Sequence, residues 1–292
     1  MKKLKYIAVF LCLSVLAINL CKGVEKDFSK AEWIVTQYAP RNVNLNFYTI
    51  YNPKKGLIVI DGGWREDASY VRSTIEQLGG KVDAWILTHP HPDHIGAFNE
   101  IYQDCQGIGI KDVYTVQMSS VDVCKRRAKW DVFDAYEDFL ELDVKDLQYV
   151  HSGEILEICG LEFDILSAYG SYVERLSKDY MNDGSMMFKV KAKEQSFLFC
   201  ADVGESVSDY LLEKWGNDLQ ATYLQMGHHG YGGLKDDFYK KVHPQTAFFD
   251  APDEMMEDTT GKFDNPENKK LMSKMGSDIK SFCTAPNTVI LK

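Results

Sequence analysis

The chain has 292 residues, 45% of them apolar and 26% charged, with Gly and Pro at 21 and 8. That balance excludes collagen-like, coiled-coil, multi-span membrane and fully disordered chains, and leaves one large domain or two small ones. With 33 basic and 43 acidic residues the net charge is −10, so the bulk basic footprint of a nucleic-acid binder is missing, although a local basic groove or a bound metal would bring positive charge of its own.

Lys2, Lys3 and Lys5 precede an uncharged run over 6–21, the basic start and short apolar stretch of a secretory signal. The run is shorter than the ~20 residues a membrane span needs. Residues 1–21 are therefore expected to be a signal peptide, cut after Ala17 or lipid-modified at Cys21, or a short retained membrane anchor. The positive-inside rule then places the remainder outside the cytoplasm, secreted or membrane-anchored. Residues 43–50 alternate as a strand, 52–56 turn, and 57–60 form a continuous apolar strand that runs into Asp61-Gly62-Gly63. A helix is predicted over 68–78, stopped by Gly79-Gly80, followed by a short strand at 84–87 and a helix over 95–104. Further along come a strand at 113–118, a helix at 132–142, two strands around Gly160 within 154–166, and a hairpin of 186–191 with 196–200. The C-terminal part reads as helix 206–215, strand 222–226, helix 236–242, strand 246–249, a polar loop leading into a helix over 253–269, and a closing strand at 288–291. Short buried strands in pairs or triplets between single helices indicate layered α/β packing in one domain.

None of the seven cysteines forms a Cys-x-x-Cys pair, so neither a cysteine zinc site nor a redox motif is signalled. Past the N-terminal segment, Cys105 and Cys124 are the only pair close in sequence, and Cys200 reads as core. Five of the seven histidines fall in two clusters. The first, His89-Pro90-His91-Pro92-Asp93-His94, follows the strand at 84–87 directly. His89 and His91 project to one side of an extended segment, while Asp93 and His94 open the next helix, where they can face a second metal beside the first. Imidazole and carboxylate together suit zinc and, more weakly, manganese or iron. The second cluster, His228-His229-Gly230-Tyr231, also follows a strand, with flanking glycines that let the backbone approach a ligand. Asp202, just past the apolar run 197–200, is a carboxylate placed to bridge two metals, or a plain turn residue.

The His-x-His-x-Asp-His pattern at 89–94 resembles the metal loop of the metallo-β-lactamase superfamily, and the resemblance extends over roughly residues 30–292. Residues 57–63 resemble that family's first motif, in which the Asp, here Asp61, supports the metal loop from behind, and residues 198–202 resemble the strand that carries the bridging Asp. His228-His229-Gly230, with Asn182-Asp183-Gly184-Ser185, is similar to the extracytoplasmic hydrolase domain of the competence DNA-uptake channel and its stand-alone relatives. The resemblance implies an αββα four-layer sandwich, with two mixed β-sheets flanked by helices, over 28–292. It also implies a site for two divalent metal ions, zinc first with manganese or iron as alternatives. One of His228 and His229 would complete the second metal, leaving the other to hydrogen-bond the substrate or protonate the leaving group, while Asp93 would ligate and orient a metal-bridged hydroxide. The family's usual intermediate metal-binding His is missing. The only histidine in that interval, His151, reads as a loop residue, and the position is taken by Asn182 or by Asp183, a candidate ligand, unless the first metal keeps only His89, His91, Asp202 and water. Trp64 and Tyr231 are candidate pocket walls, or ordinary core and loop residues.

The function the resemblance implies is a metal-dependent hydrolase acting on phosphodiesters, outside the cytoplasm if the N-terminal segment is a leader or anchor. The alternatives are a carboxylic or thioester hydrolase and a non-catalytic, metal-stabilised surface protein. The missing histidine disfavours β-lactam hydrolysis. Loss of the leader would take the net charge from −10 to −13, which favours a small phosphodiester or ester over long nucleic acid. The basic run Lys125-Arg126-Arg127, with Lys129 and Trp130, would contact phosphates or form a solvated helix face. Residues 253–268 would form a lid or a surface loop, and the N-terminal segment would tether the domain to the membrane. The sequence carries no signal for oligomeric state.

Overall fold

Continuous apolar runs such as Leu57, Ile58, Val59 and Ile60 are fully buried, as strands covered on both faces must be. The computed structural model describes residues 33–282 and 285–292, so the leader expected over 1–21 lies outside the described residues. Six strands open the chain: β1 (Trp33–Gln37), β2 (Phe47–Asn52), β3 (Gly56–Asp61), β4 (Lys81–Leu87), β5 (Gly109–Val116) and β6 (Leu147–Val150). Seven follow: β7 (Ile155–Ile158), β8 (Leu161–Ser167), β9 (Met187–Lys191), β10 (Ser196–Phe199), β11 (Tyr223–Gln225), β12 (Thr246–Phe248) and β13 (Asp278–Lys280). The last strand, β14 (Asn287–Leu291), returns to the first sheet, whose order is β14-β1-β2-β3-β4-β5-β6; the second runs β13-β12-β11-β10-β9-β8-β7. Both sheets are mixed. In the first, β14 to β3 pair antiparallel and β3 to β6 parallel. In the second, β7 to β10 pair antiparallel and β10 to β13 parallel.

The sheets meet face to face. Tyr48 of β2 lies edge-on to Phe197 and Phe199 of β10 and Phe248 of β12, with ring centroids 6.2, 5.3 and 6.3 Å apart. Helices close the outer faces. On the first sheet, α1 (Ala68–Gln77) and α2 (Pro92–Gln103) pack on β4 and β3, α3 (Val121–Arg127) follows β5, and α4 (Asp134–Glu141) packs on α2. On the second, α5 (Ser171–Leu176) and α6 (Tyr180–Asp183) lead to α7 (Glu205–Trp215), which packs on β8 with α8 (Asp236–Val242) beside it; α10 (Asn265–Lys274) packs on β13, and α9 (Asp253–Met256) packs on α10. The result is the expected αββα four-layer sandwich.

The strand predicted over 43–50 starts at Phe47, because Asn44 and Asn46 leave the sheet to bind carboxylates of the site. Strands β1, β6 and β13 and helices α5 and α6 carry three to six residues each, too few to show a period. The stretch 253–269, expected as a loop running into a helix, also holds the single turn α9. No helix among the described residues is long and apolar enough to cross a membrane. Cys105, Cys124, Cys159 and Cys200 are all free thiols.

Candidate metal centre

Three loops leave the C-terminal ends of β4, β10 and β11, the edge at which α/β sheets bind ligands. They carry Thr88–His91, Asp202 and His228–Gly230 to one point. Asp61, at the end of β3, anchors the first loop from below. Its Oδ1 accepts the Thr88 N–H (2.8 Å), and its Oδ2 accepts the Thr88 hydroxyl (2.7 Å) and Asn46 Nδ2 (2.6 Å). The same Oδ2 lies 2.7 Å from His94 Nδ1, so His94 carries its proton there and turns Nε2 toward the centre. The Thr88 hydroxyl, already donating to Asp61, sits 3.2 Å from His89 Nδ1 and accepts from it, which leaves His89 Nε2 as a lone pair.

That lone pair meets another. His91 Nε2 lies 2.8 Å from Asp131 Oδ1, a charge contact without well-directed hydrogen-bond geometry that favours the proton on Nε2, and His91 Nδ1 lies 2.9 Å from His89 Nε2. Across the centre, His94 Nε2 is 3.2 Å from Asp202 Oδ1, and His229 Nε2 is 3.1 Å from Asp93 Oδ2 and 3.4 Å from Asp202 Oδ2. His91 Nε2, His94 Nε2, His229 Nε2 and Asp202 Oδ1 are buried without a properly directed hydrogen bond. Buried nitrogen lone pairs and carboxylates converging this closely repel unless cations lie between them. The donor atoms form two groups, His89, His91 and Asp202 in one and Asp93, His94 and His229 in the other, with the atoms of each within 4.8 Å of one another. Asp202 touches both groups. An all nitrogen-and-oxygen donor set of this kind fits two divalent cations.

The electrostatics agree. Burial is the largest effect on His94 and His229 and opposes their charge, yet Asp202 together with Asp61 at His94 and with Asp93 at His229 outweighs it; His94 is held well above the ordinary imidazole value and His229 is pushed up to about 10. Burial also works against Asp202, but His94 and His229 hold it well below the usual carboxylate range. The site is built to hold positive charge against Asp202.

One sequence expectation changes and another narrows. Asp183 joins neither group: it is buried with Oδ1 on the Gly204 N–H (2.8 Å), tying α6 to the start of α7. Its neighbour Asn182 lines the cavity over the centre instead. His228 and His229 separate as well. His229 stands with Asp93 and His94, whereas His228 Nε2 stays 3.8 Å from Asp202 Oδ2, its ring stacked on Tyr231 at 4.4 Å. His228 and His229 both have left-handed backbone, with φ of 49° and 56°, a conformation that non-glycine residues keep only when their surroundings hold it. The His228 N–H on Ala201 O (2.8 Å), Asn265 Nδ2 on His229 O (3.0 Å) and Asn268 Nδ2 on Gly230 O (2.9 Å) do so.

The cavity above the centre measures about 620 Å³. Trp64, Tyr231 and Trp130 line it. Trp64 Nε1 donates to Asn44 O (2.7 Å), and Asn44 Nδ2 donates to Asp93 Oδ2 (2.7 Å), so the wall and the ligand are coupled. Asn44, Asn46 and Asp131 were invisible to motif reading, since each is a single polar residue in an irregular stretch, whereas Asn182 is one of the two residues the sequence offers at the missing histidine's position. The basic run is partly occupied: Lys125 pairs with Glu137, and Arg127 lies 5.1 Å over the Tyr180 ring. His151 is an exposed loop residue. Within 253–268, Phe263 packs edge-on to Tyr231 at 5.3 Å and Asp264 accepts the Gly232 N–H at 2.8 Å, so this stretch buttresses the histidine turn.

A sequence model of the metallo-β-lactamase superfamily matches residues 41–110, the stretch holding Asp61 and the histidine loop. No curated protein matches the sequence significantly. Among solved structures, CmlA, a diiron β-hydroxylase from Streptomyces venezuelae, is similar with a TM-score of 0.56 and 11% identity, covering 88% of this chain and 54% of that one. The present chain thus spans about half the length of the hydroxylase. The metallo-β-lactamase fold protein YhfI from Bacillus subtilis is similar with a TM-score of 0.53 and 13% identity, covering 88% of this chain and 99% of that one. The architecture is therefore the metallo-β-lactamase fold.

Proposed function

We propose that this protein, built on the metallo-β-lactamase fold, is a metal-dependent hydrolase that cleaves a phosphodiester or related ester outside the cytoplasm, tethered or exported through its N-terminal segment. The observation that carries the reading is Asp202, shared between two converging donor groups at the floor of a 620 Å³ cavity. Divalent metals bound there, zinc first and manganese or iron as alternatives, supply Lewis acidity and lower the pKa of water. The protein's part is positioning. Asp61 and Thr88 fix the tautomers of His94 and His89, and the charge of Asp131 favours that of His91. Asn44 holds Asp93 so that one carboxylate oxygen faces His229. His228, in neither ligand group but lining the same cavity, is placed to hydrogen-bond the scissile group or pass a proton to its leaving oxygen. The histidine turn resembling the competence-channel hydrolase domain supports a phosphodiester over a β-lactam.

Metal analysis with an ester panel tests this. The expected result is two equivalents of divalent metal per chain, metal-dependent release of nitrophenol from an activated phosphodiester, and stabilisation by ~2.7 kcal/mol for each site at a hundredfold excess of metal over that site's Kd. Asp202→Ala should lose both equivalents and the activity. Failure of the wild-type protein to bind metal, with an unchanged melting temperature in chelator, would sink the proposal.

A further inference from the structure

The two donor groups of the centre are not equals, because this chain supplies less to one than to the other. The first group has three donors, His89, His91 and Asp202. The second has Asp93, His94 and His229, and Asp202 leans toward it with both oxygens. Its Oδ1 is 3.2 Å from His94 Nε2 and its Oδ2 is 3.4 Å from His229 Nε2, whereas His89 Nε2 stands 3.8 Å away. The second group thus draws on four protein donors, two of them carboxylates, and the first on three, its one carboxylate being shared. The sequence candidates for a further donor do not close the gap. Asp183 is tied to the Gly204 N–H at 2.8 Å, His151 is an exposed loop residue, and Asn182 is a neutral amide that adds no charge.

The groups also differ in how firmly they are held. Asp61 fixes His94 through Nδ1 at 2.7 Å, and Asn44 donates to Asp93 Oδ2 at 2.7 Å. His229 has no partner on Nδ1, but Asn265 holds its carbonyl at 3.0 Å. In the first group, His89 relies on the Thr88 hydroxyl at 3.2 Å, and His91 on the Asp131 contact, which lacks well-directed geometry. Spacing follows the same order. Donors ~2.0–2.2 Å from a tetrahedral metal stand ~3.3–3.6 Å from one another. The second group's contacts, at 3.1, 3.2 and 3.4 Å, lie near that spacing. His89 and His91 crowd to 2.9 Å while Asp202 stands off from His89 at 3.8 Å, so the first group must shift before it closes round a cation. Charge works in the same direction: Asp93 and Asp202 together match one divalent cation, and a second arrives with those carboxylates already neutralised.

We infer that Asp93, His94, His229 and Asp202 hold a resident divalent metal, and that His89 and His91, with a share of Asp202, hold an exchangeable one. The consequence rests on the hydrolase reading, which draws on both positions: activity follows the free metal concentration around the weaker Kd, so the first group is a switch.

The test is calorimetric titration of the chelator-stripped full chain with zinc, and separately with cobalt, whose visible spectrum reports its ligands. Two classes of one equivalent each should appear, separated by ~10–100-fold, the range over which outer-shell support alone moves metal affinity. His91→Ala should abolish the weaker class and spare the tighter, and His229→Ala should remove the tighter. In the wild type alone, the second equivalent of cobalt should add a spectrum unlike the first, and turnover of a p-nitrophenyl phosphodiester should rise with that second equivalent. Two equal sites, loss of the tighter class in His91→Ala, or full turnover at one equivalent overturns the inference and leaves the hydrolase standing. Unequal classes with no turnover of any ester support the resident metal and overturn the hydrolase reading. Absence of metal binding overturns both.

Discussion

Asp131 Oδ1 stands 2.8 Å from His91 Nε2, on the far side of the ring from the nitrogen that faces His89. One loop carboxylate thereby biases which His91 nitrogen is free to bind a metal. Removing it as Asp131→Ala should weaken the first metal by ~10–100-fold while leaving the second, held by Asp93, His94 and His229, close to wild type. Competition with a chromogenic chelator resolves the two equivalents. Two metals bound with unchanged affinity would show that Asp131 does not orient the ring.

That residue also marks where sequence reading stops. The loop from His89 to His94 was legible because four donors fall within six positions at the end of an apolar strand, a density that ordinary loops lack. The fold was legible for a related reason: strands such as β3 and β4 are continuous apolar runs. Asp131, Asn44 and Asn46 reach the site from irregular segments with no period and no neighbouring donors, so only the folded chain reveals them. Asp183 was chosen over Asn182 on ligand strength alone. The four residues of α6 are too few to show which side chain faces inward, and the chain put the carboxylate on the Gly204 N–H.

A second prediction concerns pH. Asp250 lies fully buried between the sheets, where its carboxylate accepts from Gln37 Nε2 (2.6 Å), Tyr48 OH (2.7 Å) and Gln225 Nε2 (3.0 Å). Burial nonetheless pushes it up to about 6. The unfolded chain ionises near ~3.9, so the native state binds more protons between the two values and loses stability as pH rises through that window, by about 3 kcal/mol in all. Below ~4 both states are protonated and the penalty vanishes. Urea unfolding in chelator should show wild type losing this stability between the two values, while Asp250→Asn does not. Parallel curves for the two proteins would contradict the assignment.

A third follows from a close approach. A Cβ on Gly96 would sit 2.5 Å from the Arg65 nitrogen and 2.9 Å from the Trp64 carbonyl carbon, so α2 can lie this near the turn at 64–65 only with glycine there. Gly96→Ala should cost ~1–3 kcal/mol by overpacking. Because Trp64 holds Asn44 and Asn44 holds Asp93, it should also loosen the second metal. Thermal melts with metal titration check both effects, and a wild-type melting temperature would refute the contact.

The clamp of Asn265 and Asn268 on the left-handed histidine turn has a consequence for how the protein comes into being. Every donor of the centre has left the ribosome once His229 has, yet the last of them lacks its support until α10 follows. Competence to hold metal is thus a property of the finished chain. A polypeptide ending at Phe263 would keep every ligand of the site and still lack the hands that close it.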